Sequence, residues 1–129
     1  SEKALHNPIT NSNNVYERMK YLANADQESF WVIGYTVGGV EIYRNCLFLG
    51  GTSGSKVDTK ILFKRLIMHD CASFIIIHNH PGGSINLSDD DKRCTKTIEL
   101  IAKLFEMNFL DHIIIGQNSF FSFSDEGLL

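Results

Sequence analysis

Hydrophobic positions along the chain switch repeatedly between two spacings. After a polar stretch, residues 1–11, expected to be a flexible tail, Ser12 reads as an N-cap and Val15, Met19 and Leu22 recur at helical spacing. "SFWVIGYTV" and "VEIYRNCLFL" are rich in β-branched and aromatic residues, and Gly38-Gly39 between them suits a tight turn, which predicts a hairpin. "GGTSGS", residues 50–55, is expected to be a flexible loop, after which Asp58 can cap a helix running through Ile61, Leu62, Leu66 and Ile67. "SFIII" is a short unbroken apolar run, the pattern of a strand covered on both faces.

Between Ser88 and about Met107, Cys94, Ile98, Ile101, Ala102 and Phe105 form one apolar stripe, predicting a deeply packed helix. "LDHIIIG" and "SFFSF", separated by "QNS", predict a closing hairpin. The order is helix, two strands, helix, strand, helix, two strands. That order gives an α/β fold class, a single-domain mixed β-sheet flanked by helices on both faces. With 129 residues and no internal repeat or linker, residues 12–129 read as one domain.

Composition narrows the function classes. Hydrophobic residues make up 43% and charged residues 21%, a globular balance. No apolar run approaches the ~20 residues of a membrane span, and the N-terminus lacks the apolar core of a signal peptide, so a soluble, cytoplasmic protein with no membrane partner is expected. The chain does not begin with Met, which leaves room for a trimmed fragment. Cys46, Cys71 and Cys94 are an odd number without metal-knuckle spacing and are expected to be reduced. The formal charge is −3 and the densest basic group is only Lys92, Arg93 and Lys96, so direct nucleic-acid binding is not expected.

The chemistry concentrates in "IIIHNHPGGSINLSDDD", residues 75–91. Residues two apart in an extended segment face the same side, so His78 and His80 can address one point, and Pro81 biases His80 toward an extended conformation. Asp91 follows eleven residues after His80 across a turn-rich loop. Two imidazoles and a carboxylate would leave a fourth zinc position open. Ser88-x-x-Asp91 is equally the spacing of a helix capping box.

His78-Asn79-His80-Pro81, Ser88 and Asp91 match the His-x-His-x7-Ser-x2-Asp signature of the JAB/MPN (JAMM) metalloproteases, and "HNHPGG", "LDHIIIG" and "SFSDEG" resemble its RadC-like branch, historically labelled DNA repair proteins. The resemblance runs from about Asp26 to the C-terminus. It implies a cytidine-deaminase-like fold, one zinc held by His78, His80 and Asp91, and Ser88 stabilising the oxyanion in hydrolysis of a peptide or isopeptide bond. His112, in "LDHIII", would be at most a partner of a ligand. Bound zinc lowers the pKa of a water toward ~7 and polarises the carbonyl under attack.

The resemblance also requires an upstream glutamate as general base, expected near Asn45 or Cys46 on the strand before the glycine-rich loop. The acid on that strand is Glu41, about 13 Å away at ~3.3 Å per residue, otherwise read as a solvated residue. Lys60 departs from the family's arginine at the next helix's start. Two further readings stand beside the hydrolase: a metal-stabilised binding module lacking its general base, and a DNA-repair-associated factor. The contiguous letters "HNH" are not the dispersed nuclease motif of that name.

Overall fold

A computed structural model of the chain describes residues 11–49 and 57–129. The expected flexible tail, Asn11 excepted, and the glycine-rich loop lie outside the described residues. Helix α1 spans Ser12–Met19 and continues as a 3-10 turn over Lys20–Asn24. Asn11, one residue ahead of the expected Ser12, is its cap, and its side chain accepts from the Asn14 N–H at 2.9 Å. Strands β1 (Ser29–Tyr35) and β2 (Glu41–Leu49) follow, then α2 (Thr59–Met68), β3 (Ser73–Asn79), α3 (Asp89–Leu104), β4 (Asn108–Gly116) and β5 (Ser119–Ser122).

The five strands form one mixed sheet in the order β2-β1-β3-β4-β5. β1 runs antiparallel to both β2 and β3, β3 and β4 are parallel, and β4 and β5 close as an antiparallel hairpin. All seven residues of β3 are buried, as its unbroken apolar run requires. The β1–β2 link is wider than a two-residue turn. It spans Thr36 to Val40, with the Thr36 N–H donating to the Val40 carbonyl and Gly39 at φ 85°. The β4–β5 link is the two residues Gln117 and Asn118, with Asn118 at φ 58°, a conformation asparagine tolerates better than most residues.

Alternation along the strands divides the core into two layers. Phe30, Val32, Phe74 and Ile76 point to the face covered by Leu62 and Leu66 of α2 and by Ile98 and Ala102 of α3. Ile33, Tyr35, Ile75 and Ile77 point to the opposite face, under Val15, Met19 and Leu22. The parity of β3 therefore sends His78 to the α2/α3 side and Asn79 to the other. At 129 residues this is a single domain, a five-stranded mixed sheet with helices on both faces, the α/β class that the element order predicts.

Candidate metal centre

β3 ends at Asn79, and its last even-numbered position delivers His78 onto the α3 side of the sheet. His80 is one residue past the strand, where its N–H still donates to the Ile115 carbonyl of β4 at 2.8 Å. Its Nδ1 lies 3.0 Å from the Ser84 carbonyl. A carbonyl oxygen can only accept, so Nδ1 carries the proton and Nε2 keeps a free lone pair. The loop that supplies this carbonyl is held close to the sheet. Gly82 adopts φ 60°, and a side chain at Gly116 would meet Ile85 Cγ2 at 2.7 Å.

Asp91 serves the helix cap and the site together. Ser88 Oγ accepts from the Asp91 N–H and Asp91 Oδ2 accepts from the Ser88 N–H, each at 3.0 Å, completing the capping box expected from the spacing. The same carboxylate lies 3.4 Å from His78 Nδ1 through Oδ1 and 3.8 Å from His80 Nε2 through Oδ2. Cap and ligand are thus compatible for one residue, because a carboxylate has about four acceptor positions and the cap takes one. Burial alone would raise the Asp91 pKa, but the His78 ring and the Ser88 donors outweigh it and hold the carboxyl well below its usual range.

Sequence reasoning missed Glu28. Its carboxylate contacts His78 Nε2, and Glu28, His78 and His80 offer ligand atoms that all lie within 4.8 Å of one another. Glu28 sits just ahead of β1, and the antiparallel pairing of Phe30 with His78 brings that end of β1 beside the histidines. With a period of two, Glu28 shares the Phe30 face. The available signal is an acid directly ahead of the apolar run "SFWVIGYTV".

Glu41, the acid considered for the base, is not brought to the site. It lies beside the other end of β1, paired in register with Tyr35, and its carboxylate takes Arg44 Nη2 at 2.8 Å and Nε at 3.1 Å. Asn45 and Cys46 pair with Val32 and Trp31 along the middle of β1. The acid that the structure brings to the histidines thus precedes β1 and does not lie on β2.

His78 stands between two carboxylates. Burial would lower its pKa, but Asp91 and Glu28 on its two ring nitrogens raise it above the ordinary imidazole value. Its buried Nδ1 makes no hydrogen bond within the described residues. An orphaned imidazole nitrogen facing a carboxylate, with a second imidazole's free lone pair nearby, is a donor set that fits a divalent cation such as zinc.

His112 is fully buried and stacks on Phe123 with ring centroids 4.7 Å apart. Thr95 Oγ1 donates to the Asp91 carbonyl at 2.8 Å and lies 2.6 Å from His112 Nδ1. With its one proton spent, the hydroxyl must accept from Nδ1–H. His112 therefore reaches Asp91 through Thr95. Burial, aided by His78, pushes its pKa down to about 3 and keeps it neutral. A cavity of about 350 Å³ opens beside His78 and Asp91, walled also by Phe30, Val57, Cys94 and His112. Burial and then Asp91 push the Cys94 thiol up to about 11, so it is not a thiolate nucleophile at neutral pH.

The family model described as "RadC-like JAB domain" matches residues 9–128. Curated relatives called "UPF0758 protein" from Flavobacterium johnsoniae and Porphyromonas gingivalis are each 33% identical, over 93% and 94% of this chain and 53% and 54% of their own length. A further "UPF0758 protein", from Clostridium botulinum, is 33% identical over 100% of the chain and 55% of its own. The chain thus spans about half the length of the curated relatives it matches. No helix among the described residues is long and apolar enough to cross a membrane.

Proposed function

Because the chain belongs to the RadC-like JAB domain family, we propose that it is a zinc-dependent hydrolase of amide bonds, acting on a peptide or isopeptide substrate. The observation that carries this reading is the approach of the Glu28 carboxylate to a two-histidine pair that Asp91 closes from the other side. His78, His80 and Asp91 are the proposed ligands, with Glu28 as the general base. When bound, zinc lowers the pKa of a water toward ~7 and polarises the carbonyl under attack.

The chain's own groups then divide the remaining work. Glu28 takes a proton from the attacking water and returns it to the departing nitrogen, a role worth typically 10²–10⁴-fold. Ser88 Oγ accepts from the Asp91 N–H and carries one proton of its own, which in this reading turns from the Asp91 carboxylate to the oxygen on which charge develops. Ser88 is exposed to solvent, as a substrate-facing donor must be. The loop carbonyl of Ser84 fixes the His80 ring so that its lone pair faces the ligand set. The binding-module reading rested on a missing acid, and Glu28 supplies one.

Elemental analysis of protein purified without chelator or nickel resin should give near one zinc per chain. His80→Ala and Asp91→Ala should lose it while keeping the fold. The zinc-loaded protein should cleave members of a panel of peptides and lysine-linked isopeptides, and Glu28→Gln, assayed at saturating zinc, should lose the cleavage. Well-folded protein that takes up no zinc when it is supplied would overturn the reading. Full occupancy with no cleavage across the panel would favour a metal-stabilised binding module.

A further inference from the structure

We infer that Asn79, between the two histidines but on the opposite face of the sheet, is a positioning residue that clamps the backbone on both sides of Glu28 and so sets that carboxylate against the site. This rests on the proposed role of Glu28. The β1–β3 ladder supports it first, because the pairing ends at Phe30 opposite His78, two residues short of Glu28. Beyond that point β3 holds the incoming chain through a side chain. Asn79 Oδ1 accepts from the Ser29 N–H at 2.6 Å and from Ser29 Oγ at 2.8 Å.

The other half of the amide grips the preceding segment. Asn79 Nδ2 donates to the Gln27 carbonyl at 3.0 Å and to the Leu22 carbonyl at 2.9 Å. An asparagine side chain has two N–H donors and one oxygen with two lone pairs, and here all four are used. Gln27 and Ser29 are the residues flanking Glu28, so the clamp fixes its entry and exit. Asn79 is fully buried, and a fully satisfied polar group in a dry setting rigidifies what it holds.

Ser29 is itself locked. Its hydroxyl gives its proton to Asn79 and accepts from Trp31 Nε1 at 3.0 Å. Alternation then completes the placement: with Ser29 turned toward Asn79, the preceding residue must project to the histidine side. The residue that separates the two histidines in sequence thus controls, from behind the sheet, the acid that faces them.

A thermodynamic cycle read on cobalt(II) binding tests this without any substrate. Affinity and the visible cobalt spectrum are measured for the wild type, Glu28→Gln, Asn79→Leu, the double variant and the milder Ser29→Ala, with thermal melts confirming that each folds. Removing a partner of a metal site typically weakens affinity about 10–100-fold, and Glu28→Gln is expected near the low end. Asn79→Leu should give at least threefold with the same spectral change, and Ser29→Ala a smaller shift in that direction. In the Glu28→Gln background, Asn79→Leu should add less than about twofold, since an effect routed through Glu28 cannot be counted twice.

Full additivity in the double variant would overturn the clamp, because Asn79 would then act on the histidines or on stability alone. An Asn79→Leu protein with wild-type affinity and spectrum would also overturn it, while leaving the hydrolase reading intact. Failure of the wild type to bind cobalt at all would instead be failure of the metal reading itself. Should Asn79→Leu not fold, Ser29→Ala in both backgrounds carries the same cycle.

Discussion

Glu28 and Glu41 lie at opposite ends of β1, about 23 Å apart along the strand at ~3.3 Å per residue. At one end a carboxylate meets imidazoles and no arginine among the described residues. At the other, a carboxylate is gripped by both forks of Arg44, with Arg18 Nη1 a further 3.9 Å away. A carboxylate in a two-point guanidinium grip is fixed in place away from the histidines. The other lies within reach of the candidate ligand atoms. On the proposed function the difference separates a working end of the sheet from a structural end, and exchanging the effects of mutations at the two ends is the way to break the distinction.

The largest expected effect is on catalysis at the Glu28 end. Glu28→Gln should lower the turnover of an accepted amide substrate by about 10²–10⁴-fold at saturating zinc and near-unchanged melting temperature. Glu41→Gln in the same assay should stay within experimental scatter. A comparable loss of turnover in the two variants would mean that the working end has been misassigned.

Next in size is a stability effect at the structural end. Gly34 faces Cys71, and a methyl group added there would lie 2.3 Å from Cys71 Sγ. Gly34→Ala should therefore destabilise by about 1–3 kcal/mol, the usual cost of overpacking a core, and leave zinc content untouched. Adding Cys71→Ala should recover part of that loss by vacating the space. Urea melts of the three variants settle the point, and no recovery in the double variant would locate the strain elsewhere.

His112 adds a pH signature at the working end. Its pKa is about 3 when folded and near the ordinary 6.5 when unfolded. Between those values the unfolded chain holds a proton that the folded chain does not. Its contribution to stability is present above pH 6.5 and is lost as pH falls through this window, at up to about 1.36 kcal/mol per pH unit. Asp111, whose pKa burial raises despite donors from Ser122, Ser124 and His112, has the opposite sign. It favours the folded state as pH falls toward its own range, so the His112 share is best isolated as a difference. Between pH 6.5 and 4.5 the wild type should lose more stability than His112→Asn, and parallel pH slopes would remove the assignment.

The parts of this arrangement that were legible in the sequence are those written in local pattern. The run "SFIII" specified a strand buried on both faces, the stripe through Ile98 and Ala102 specified α3, and the Ser88 and Asp91 spacing specified the cap that holds Asp91. His78 and His80 followed from the period of two. Glu28 did not, because its approach to His78 depends on β1 pairing antiparallel with β3 across about fifty residues, a long-range register that no local periodicity encodes. Asn79 was hidden for the same reason: it reads as a spacer between ligands until the segment it binds is seen to return from Leu22 to Ser29. The resemblance points to an acid on β2, ahead of the glycine-rich loop, whereas the acid beside the histidines precedes β1, the strand that pairs with β3.

The smallest effect sharpens the comparison from its quiet side. The Glu41–Arg44 pair has good two-point geometry but is still reached by solvent, with side-chain exposures of 19% and 29%. Screening limits such pairs to about 0.2–1 kcal/mol. Glu41→Gln should cost no more than the upper part of that range in a urea melt, and the loss should shrink in 1 M salt, where screening acts within ~3 Å. In metal-free protein, at a pH above the raised His78 pKa where the imidazole is neutral, Glu28→Gln should behave in the reverse manner, since Glu28 and Asp91 then crowd two negative carboxylates around one uncharged ring. Removing one of these charges relieves repulsion that zinc would otherwise offset, so the metal-free variant should be no less stable than the metal-free wild type. A metal-free Glu28→Gln that melts well below wild type under that condition would show that the hydrogen bond to His78 outweighs the repulsion and that Glu28, like Glu41, is held mainly for stability.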